Sequence, residues 1–461
     1  MSTPSPHTAR GSRRTTRILC ASTLYGAATL AAALDAGCFG PADRLLLLVS
    51  DNSATPELSD PFDRSPAFAH LRDRFDGVLS WNEAIAPFHP GGWGPRPDDQ
   101  ILWERHLRML WDLGDDHIEL AVESIQVNPA LAICQIFAGA PVDVYADGLM
   151  SYGPTRFKID PLVGTRVRRV LHLDLVPGLA PLLLTEFGVA PEIVPTDAFT
   201  KVLAALGGAE QDLPAAEGAA LLLGQYLSAL DILTAEEEED LHVRMLRGVV
   251  ALGHTRVVFK PHPSAPARWS RALEREAERL GAALTVLDTP VLAEVVYQRM
   301  RPALVVGCFS TALLTASALY GLPVARTGTG LLLERLTPYE NSNRVPVTIV
   351  DALLPDLADG DAVREQRRGL DAEGLTELLR AVGYAMQSKI YPELRPEAER
   401  YLTQHLDART RRYFKRRRLT SLGLPGGVPA QLAFIPRNAT VRRMARRARR
   451  LRRRVARRGD A

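Results

Sequence analysis

Lys260-Pro261-His262-Pro263 follows the apolar run Val257-Val258-Phe259, and further along Val305-Val306-Gly307-Cys308-Phe309 runs into Ser310-Thr311. A lysine brings a point charge to a phosphate. A histidine exchanges protons near neutral pH, and hydroxyls at the start of a helix join free N–H groups that face an anion. Proline on either side of His262 restricts the backbone and aims the ring. The chain holds five lysines against fifty-one arginines, so Lys260 stands out. A third element, Pro141-Val-Asp-Val-Tyr145-Ala146-Asp147-Gly148, ends an apolar run in a carboxylate and a glycine that permits a sharp exit. Each motif closes a short apolar segment. That predicts three strand ends on the carboxyl edge of parallel sheets, where open α/β folds collect their ligands.

The order Asp-Gly, Lys-Pro-His-Pro, Ser-Thr resembles the bacterial polysialyltransferases and related bacterial sialyltransferases. Their signatures are an acidic-acidic-Gly motif, a His-Pro motif and a later Ser-Ser/Thr motif on a two-domain GT-B fold. Asp147-Gly148 matches the first, His262-Pro263 the second and Ser310-Thr311 the third, over roughly residues 17–345. The resemblance implies an inverting, metal-independent transfer of sialic acid from CMP-sialic acid to a glycan or polysaccharide, with no further cofactor. Asp147 would be the base and His262 the acid or phosphate stabiliser. Lys260, Pro263, Ser310, Thr311 and the glycine turn at Gly224 would lie on the donor side. Glu294 sits where such enzymes carry a glutamate against the nucleotide. One departure stands out: Ala146 replaces the first acid, which leaves a single carboxylate in that motif.

Composition sets the frame for these motifs. A length of 461 residues with 46% hydrophobic content suits two domains with appendages. Cys20, Cys38, Cys134 and Cys308 are scattered singly, without the spacing of a zinc site or a disulfide framework, as expected in a reducing cytoplasm. No secretory leader and no apolar stretch long enough to span a bilayer is expected. The net charge of +3 hides an asymmetry, because residues 409–461 carry 19 Lys/Arg against one acid, leaving the remainder at −15. Such a polycation is expected to meet something anionic, whether membrane lipid, nucleic acid or an anionic polymer; the resemblance implies the anionic surface on the inner face of the cell membrane. Within it Val441, Met444, Ala448, Leu451 and Val455 form a narrow apolar stripe among arginines, the pattern of an interfacial helix.

The expected fold is α/β with two Rossmann-like, doubly wound domains facing a cleft. Residues 1–16 read as disordered and 17–206 as the acceptor domain, with short buried strands near 17–22, 44–50, 77–81, 118–122 and 142–145. The Pro/Gly-rich segment 87–99 is expected to shape an acceptor site. Leu102, Trp103, Leu107, Leu110 and Trp111 recur at helical spacing over 100–113 and predict core. Residues 207–218 read as a linker, 219–345 as the nucleotide-sugar domain, 346–408 as helices packing back on the first domain, and 409–461 as the basic tail. No GxGxxG or Walker pattern appears.

Several residues are set aside. His89 lies in a loop, Asp115-Asp116 reads as a turn, and the sequon at Asn438 carries no weight without secretion. The nearest rival is a teichoic-acid-type transferase using CDP-glycerol, whose domain also carries Lys-Pro-His-Pro; it usually has an acid at the later motif, and Gly307–Thr311 has none. A nucleic-acid-binding reading rests on the arginine tail alone, which lacks interleaved aromatics, and no nucleic acid is expected as partner.

Overall fold

The computed structural model describes residues 13–209, 216–262, 265, 270–287, 289 and 291–428. The first domain is a seven-stranded sheet of β1 (Thr15–Ala21), β2 (Arg44–Val49), β3 (Gly77–Ser80), β4 (His117–Glu123), β5 (Val142–Ala146), β6 (Val167–Leu173) and β7 (Ala190–Val194). Its order is β3-β2-β1-β4-β5-β6-β7, and every pairing is parallel. The central strands are largely apolar because both faces are covered, while β4, β6 and β7 also carry charged residues. Leu19, Ala21, Leu47 and Val49 enter one core, and Ile18, Cys20, Leu46 and Leu48 enter a second on the opposite face. The chain reverses direction between β1 and β4, which places a crevice outside their carboxyl ends.

The second domain has five parallel strands, β8 (Ala220–Leu223), β9 (Arg256–Lys260), β10 (Ala283–Val286), β11 (Leu304–Gly307) and β12 (Val324–Arg326), in the order β10-β9-β8-β11-β12. Its own switch point lies between β8 and β11. There Gln225 accepts the Phe309 N–H at 2.9 Å and ties the two strand ends together. The helix Ala235–Ala251 opens on a capping box between Thr234 and Glu237, as the run of acids in its first turn requires. Two doubly wound sheets thus give the GT-B architecture anticipated from the motifs. Strands β6, β7 and β12 extend it beyond the segments read from sequence.

The C-terminal helices pack back on the first domain. The hydroxyl of Tyr391 meets the Thr155 N–H at 3.0 Å, Thr155 Oγ1 at 2.9 Å and a Glu186 carboxylate oxygen at 2.6 Å, and Gln387 donates to Arg156 O at 2.7 Å.

Three local expectations change. Leu102 and Leu110 on the helix Gln100–Leu110 are exposed, while Leu107 and Trp111 carry the buried side. Asp116 is more than a turn residue: it is buried and accepts from Thr16 Oγ1 and Arg14 Nε. Residues 409–428 are folded rather than tail. Tyr413, Phe414, Leu419 and Leu424 are buried, Tyr413 donates to Asp351 at 2.9 Å, and Arg418 donates to the Ala385 and Met386 carbonyls that end the helix Ala372–Gln387. Charge does not distinguish these residues from those beyond, since most of their arginines stay exposed; the buried Tyr413 and Phe414 among them do. The rest of the expected tail, with its apolar stripe and Asn438, lies outside the described residues, as does the segment 1–12. Among the described residues no helix is long and apolar enough to cross a membrane.

Candidate functional site

Two of the three motifs meet between the two domains, and the third adjoins them through Lys260, Glu294 and Thr315. Asp147 follows β5, and Gly148 has an extended backbone with φ −136°, so its role is close approach rather than a sharp turn. A Cβ on Gly148 would stand 3.2 Å from Thr311 Oγ1 of the second domain, and the Leu149 N–H reaches the same hydroxyl at 3.5 Å. A side chain at 148 would press on the Thr311 hydroxyl, at the start of the helix Thr311–Tyr320, which would have to give by a few tenths of an ångström. Ser310 caps that helix, accepting from Ala312 N at 3.2 Å. Leu313 N donates to Ser310 O at 3.0 Å, so what the helix start offers an anion is chiefly the positive end of its dipole.

Lys260 ends β9, and burial lowers its pKa while Glu294 opposes that shift. Glu294, 3% exposed, accepts from Thr315 Oγ1 at 2.6 Å; burial raises its pKa, and Thr315 and Lys260 hold it back. His262 keeps a face open to solvent and lies near Tyr226, with ring centroids 6.3 Å apart. Desolvation of its inner side, then the Lys260 charge, lower its pKa, so near pH 7 it is a neutral imidazole that donates N–H rather than a stored proton. Gly224 lets the β8 end approach the motif: its N–H donates to Lys260 O at 2.9 Å, and a Cβ there would meet Pro261 Cα at 3.1 Å. Pro263 lies outside the described residues.

Asp147 is the most perturbed group of the set. Burial, then the charge of Glu123, lift its pKa to about 7. Glu123 ends β4 and accepts from Ser22 Oγ at 2.7 Å. It escaped the sequence reading, although an acid closing the apolar run of 118–122 was a legible signal. Tyr25 had no such signal. From the first turn of the helix Leu24–Asp35 its hydroxyl oxygen is buried without a hydrogen-bond partner among the described residues, and Glu294 and Asp147, from opposite domains, both act on it.

From Glu123 a trough runs along the carboxyl edge of the first sheet. It comprises three neighbouring cavities of about 90, 570 and 420 Å³; Ser22 and Ser50 are shared by the first two, and Asp51 and Arg64 by the last two. Residues 86–90 form the far wall, including Phe88 and His89, and His89 Nε2 is 2.8 Å from Ser53 O. The loop expected to shape an acceptor site therefore does line a cavity. Its chemistry is acidic: Asp51, Glu57, Asp60, Asp63 and Glu83 line it against Arg64.

A family model described as alpha-2,8-polysialyltransferase matches residues 17–329. The chain belongs to this family. The match runs from β1 through β12, so it holds both sheets and all three motifs, and the protein is a glycosyltransferase of the sialyltransferase type. No curated protein matches the chain. Among solved structures it is similar to MurG of Acinetobacter baumannii (12% identity, TM-score 0.39, covering 85% of this chain and 98% of that one). It is also similar to the UDP-GlcNAc 2-epimerase of Methanocaldococcus jannaschii (10%, TM-score 0.41, 68% and 83%). A third is the GT-B domain, residues 113–497, of a sialyltransferase from Photobacterium damselae (11%, TM-score 0.39, 73% and 96%). Within the alpha-2,8-polysialyltransferase family, Ala146 and the adjoining Glu123 become the features of this chain to explain.

Proposed function

We propose that this member of the family transfers sialic acid from CMP-sialic acid, with inversion and without a metal, to a glycan hydroxyl presented from the first domain. The observation that carries the reading is the seating of Gly148 and Leu149, the residues that follow Asp147, against Thr311, at a helix start able to meet an anion. As the anomeric carbon–oxygen bond to the phosphate breaks, negative charge gathers on the departing CMP. The N-terminus of the helix Thr311–Tyr320, Ser310, Lys260 and the His262 N–H meet that charge. Glu294 faces the nucleotide. On the opposite side the acceptor oxygen forms the new bond to the anomeric carbon, and its proton passes to Asp147. A base with pKa near the working pH combines a deprotonated fraction with useful basicity, worth ~100- to 10,000-fold. One base on the face opposite the leaving group gives inversion.

The acceptor enters along the trough, and its carboxylates favour an uncharged glycan end over a polyanionic one. The basic segment beyond residue 428 is proposed to hold the enzyme at an anionic membrane surface. The test is release of nucleotide from a panel of CMP-, CDP- and UDP-linked donors. Release of CMP from CMP-sialic acid that depends on acceptor and disappears in Asp147→Asn supports the reading. Turnover of CDP-glycerol alone would replace it with the teichoic-acid-type alternative.

A further inference from the structure

We propose that Glu123 is a positioning residue for the transfer, pairing with Asp147 across β4 and β5 as the second carboxylate that Ala146 removes from the motif. This rests on the reading of Asp147 as base. The geometry is set by the sheet. Glu123 is in register with Tyr145, and Ser124 N donates to Tyr145 O at 3.0 Å, so Asp147 lies just beyond Glu123 on the adjacent strand. Both acids flank the same helix start. Ser22 Oγ donates to Glu123 at 2.7 Å, while Asp147 Oδ2 lies 3.5 Å from where a Cβ on Gly26 would stand. Glu123 also sits where the first sheet reverses direction, the point at which α/β sheets place ligands, and it lines the inner end of the trough with Ser50 and Asn128.

The groups that act on the pair are Glu123 on Asp147, then Tyr25 and Tyr145 nearby, with Glu294 of the second domain beyond Tyr25. None of these is a cation. Two carboxylates on which no cation acts among the described residues resist double ionisation, so one of them takes up a proton at a higher pH than an isolated acid. In the transfer step the proton leaving the acceptor oxygen is received by Asp147 and can be shared with Glu123, which has no bond to make to the sugar. Glu123 acts through Asp147, and the motif's missing acid is supplied by the neighbouring strand.

The experiment is the pH dependence of kcat/KM for CMP release. Removing the Glu123 charge lets Asp147 ionise earlier, so Glu123→Gln is expected to move the acid limb down by about one pH unit or more. It should also reduce the plateau rate a few-fold because the base is weaker. Glu123→Asp, which keeps the charge, is expected to leave the limb near its native position. Ser22→Ala removes a hydrogen bond that favours ionised Glu123, so less charge acts on Asp147 and its limb should move the same way, downward, by less than in Glu123→Gln. An unmoved limb in Glu123→Gln overturns the proposal; if that variant does not fold, an unmoved limb in Ser22→Ala does. Asp147→Asn separates the two levels. Retained transfer in that variant removes the base assignment itself, whereas an inactive Asp147→Asn beside an unmoved limb removes only the pairing.

Discussion

Gly224→Ala gives a test of the donor side whose size follows from packing. A Cβ at this position would stand 3.0 Å from Phe259 Cζ and 3.1 Å from Pro261 Cα. Carbon atoms settle at about 3.5–4.0 Å, so roughly half an ångström must be found somewhere. Phe259 is 2% exposed and packs on His242 with centroids 5.0 Å apart, so its ring has little room to yield. The backbone at Pro261 has to move, and with it Lys260 and His262 on either side. Overpacking of this kind costs about 1–3 kcal/mol of stability. A 1 Å displacement of positioning groups costs on the order of 100-fold in rate, so half that distance predicts about 10-fold in kcat/KM. Gly330→Ala is the control. It sits on the helix Thr329–Arg335 with nothing within 4 Å of an added Cβ, and it should hold or gain up to about 1 kcal/mol without touching activity. Thermal melting and CMP release, measured on both variants, read the two effects separately. A Gly224→Ala enzyme with native melting and native kcat/KM would refute the close approach of β8 to the histidine motif.

Three further outcomes are expected. Tyr391→Phe removes a buried hydroxyl shared by Thr155 and Glu186 and should cost about 3 kcal/mol in urea unfolding, the sum expected of one charge-assisted hydrogen bond and one stranded amide; a loss below about 0.5 kcal/mol would mean that the C-terminal helices are held otherwise. Truncation after Val428 removes twelve arginines and one acid while sparing the packed Tyr413, Phe414 and Leu419, so co-sedimentation with phosphatidylglycerol vesicles should fall and lose its salt dependence while melting holds. In competition at low salt, a neutral glycan acceptor should outpace a sialylated chain of equal length, and Asp51→Asn with Asp63→Asn should narrow the gap; equal use of both acceptors would show that the trough's charge does not select.

Much of the site was legible because its parts are local. An apolar run that stops at Asp147, at Lys260-Pro-His262 or before Ser310 marks a strand end in any parallel sheet, and the alternation of strands and helices points to two doubly wound domains without knowledge of any contact. Periodicity also misled where one face of a helix has no cover, as at Leu102 and Leu110, since spacing records which residues share a face but not what lies against it. What the chain alone could not disclose are the pairings between residues far apart in it. Glu123 is an ordinary strand-end acid until β5 brings Asp147 beside it, and Ser22 reaches it across 101 residues of sequence. Gly148 reads as a turn until the second domain sets Thr311 against it from 162 positions beyond Leu149. Nothing in the sequence singles out Tyr391, on whose hydroxyl Thr155, 236 residues earlier, closes. Local sequence sets where strands end and which groups those ends carry. Which ends face one another, and so which pKa values move, is decided only when long loops close and the two domains pack together, because electrostatic coupling depends on distance in space and not on order along the chain.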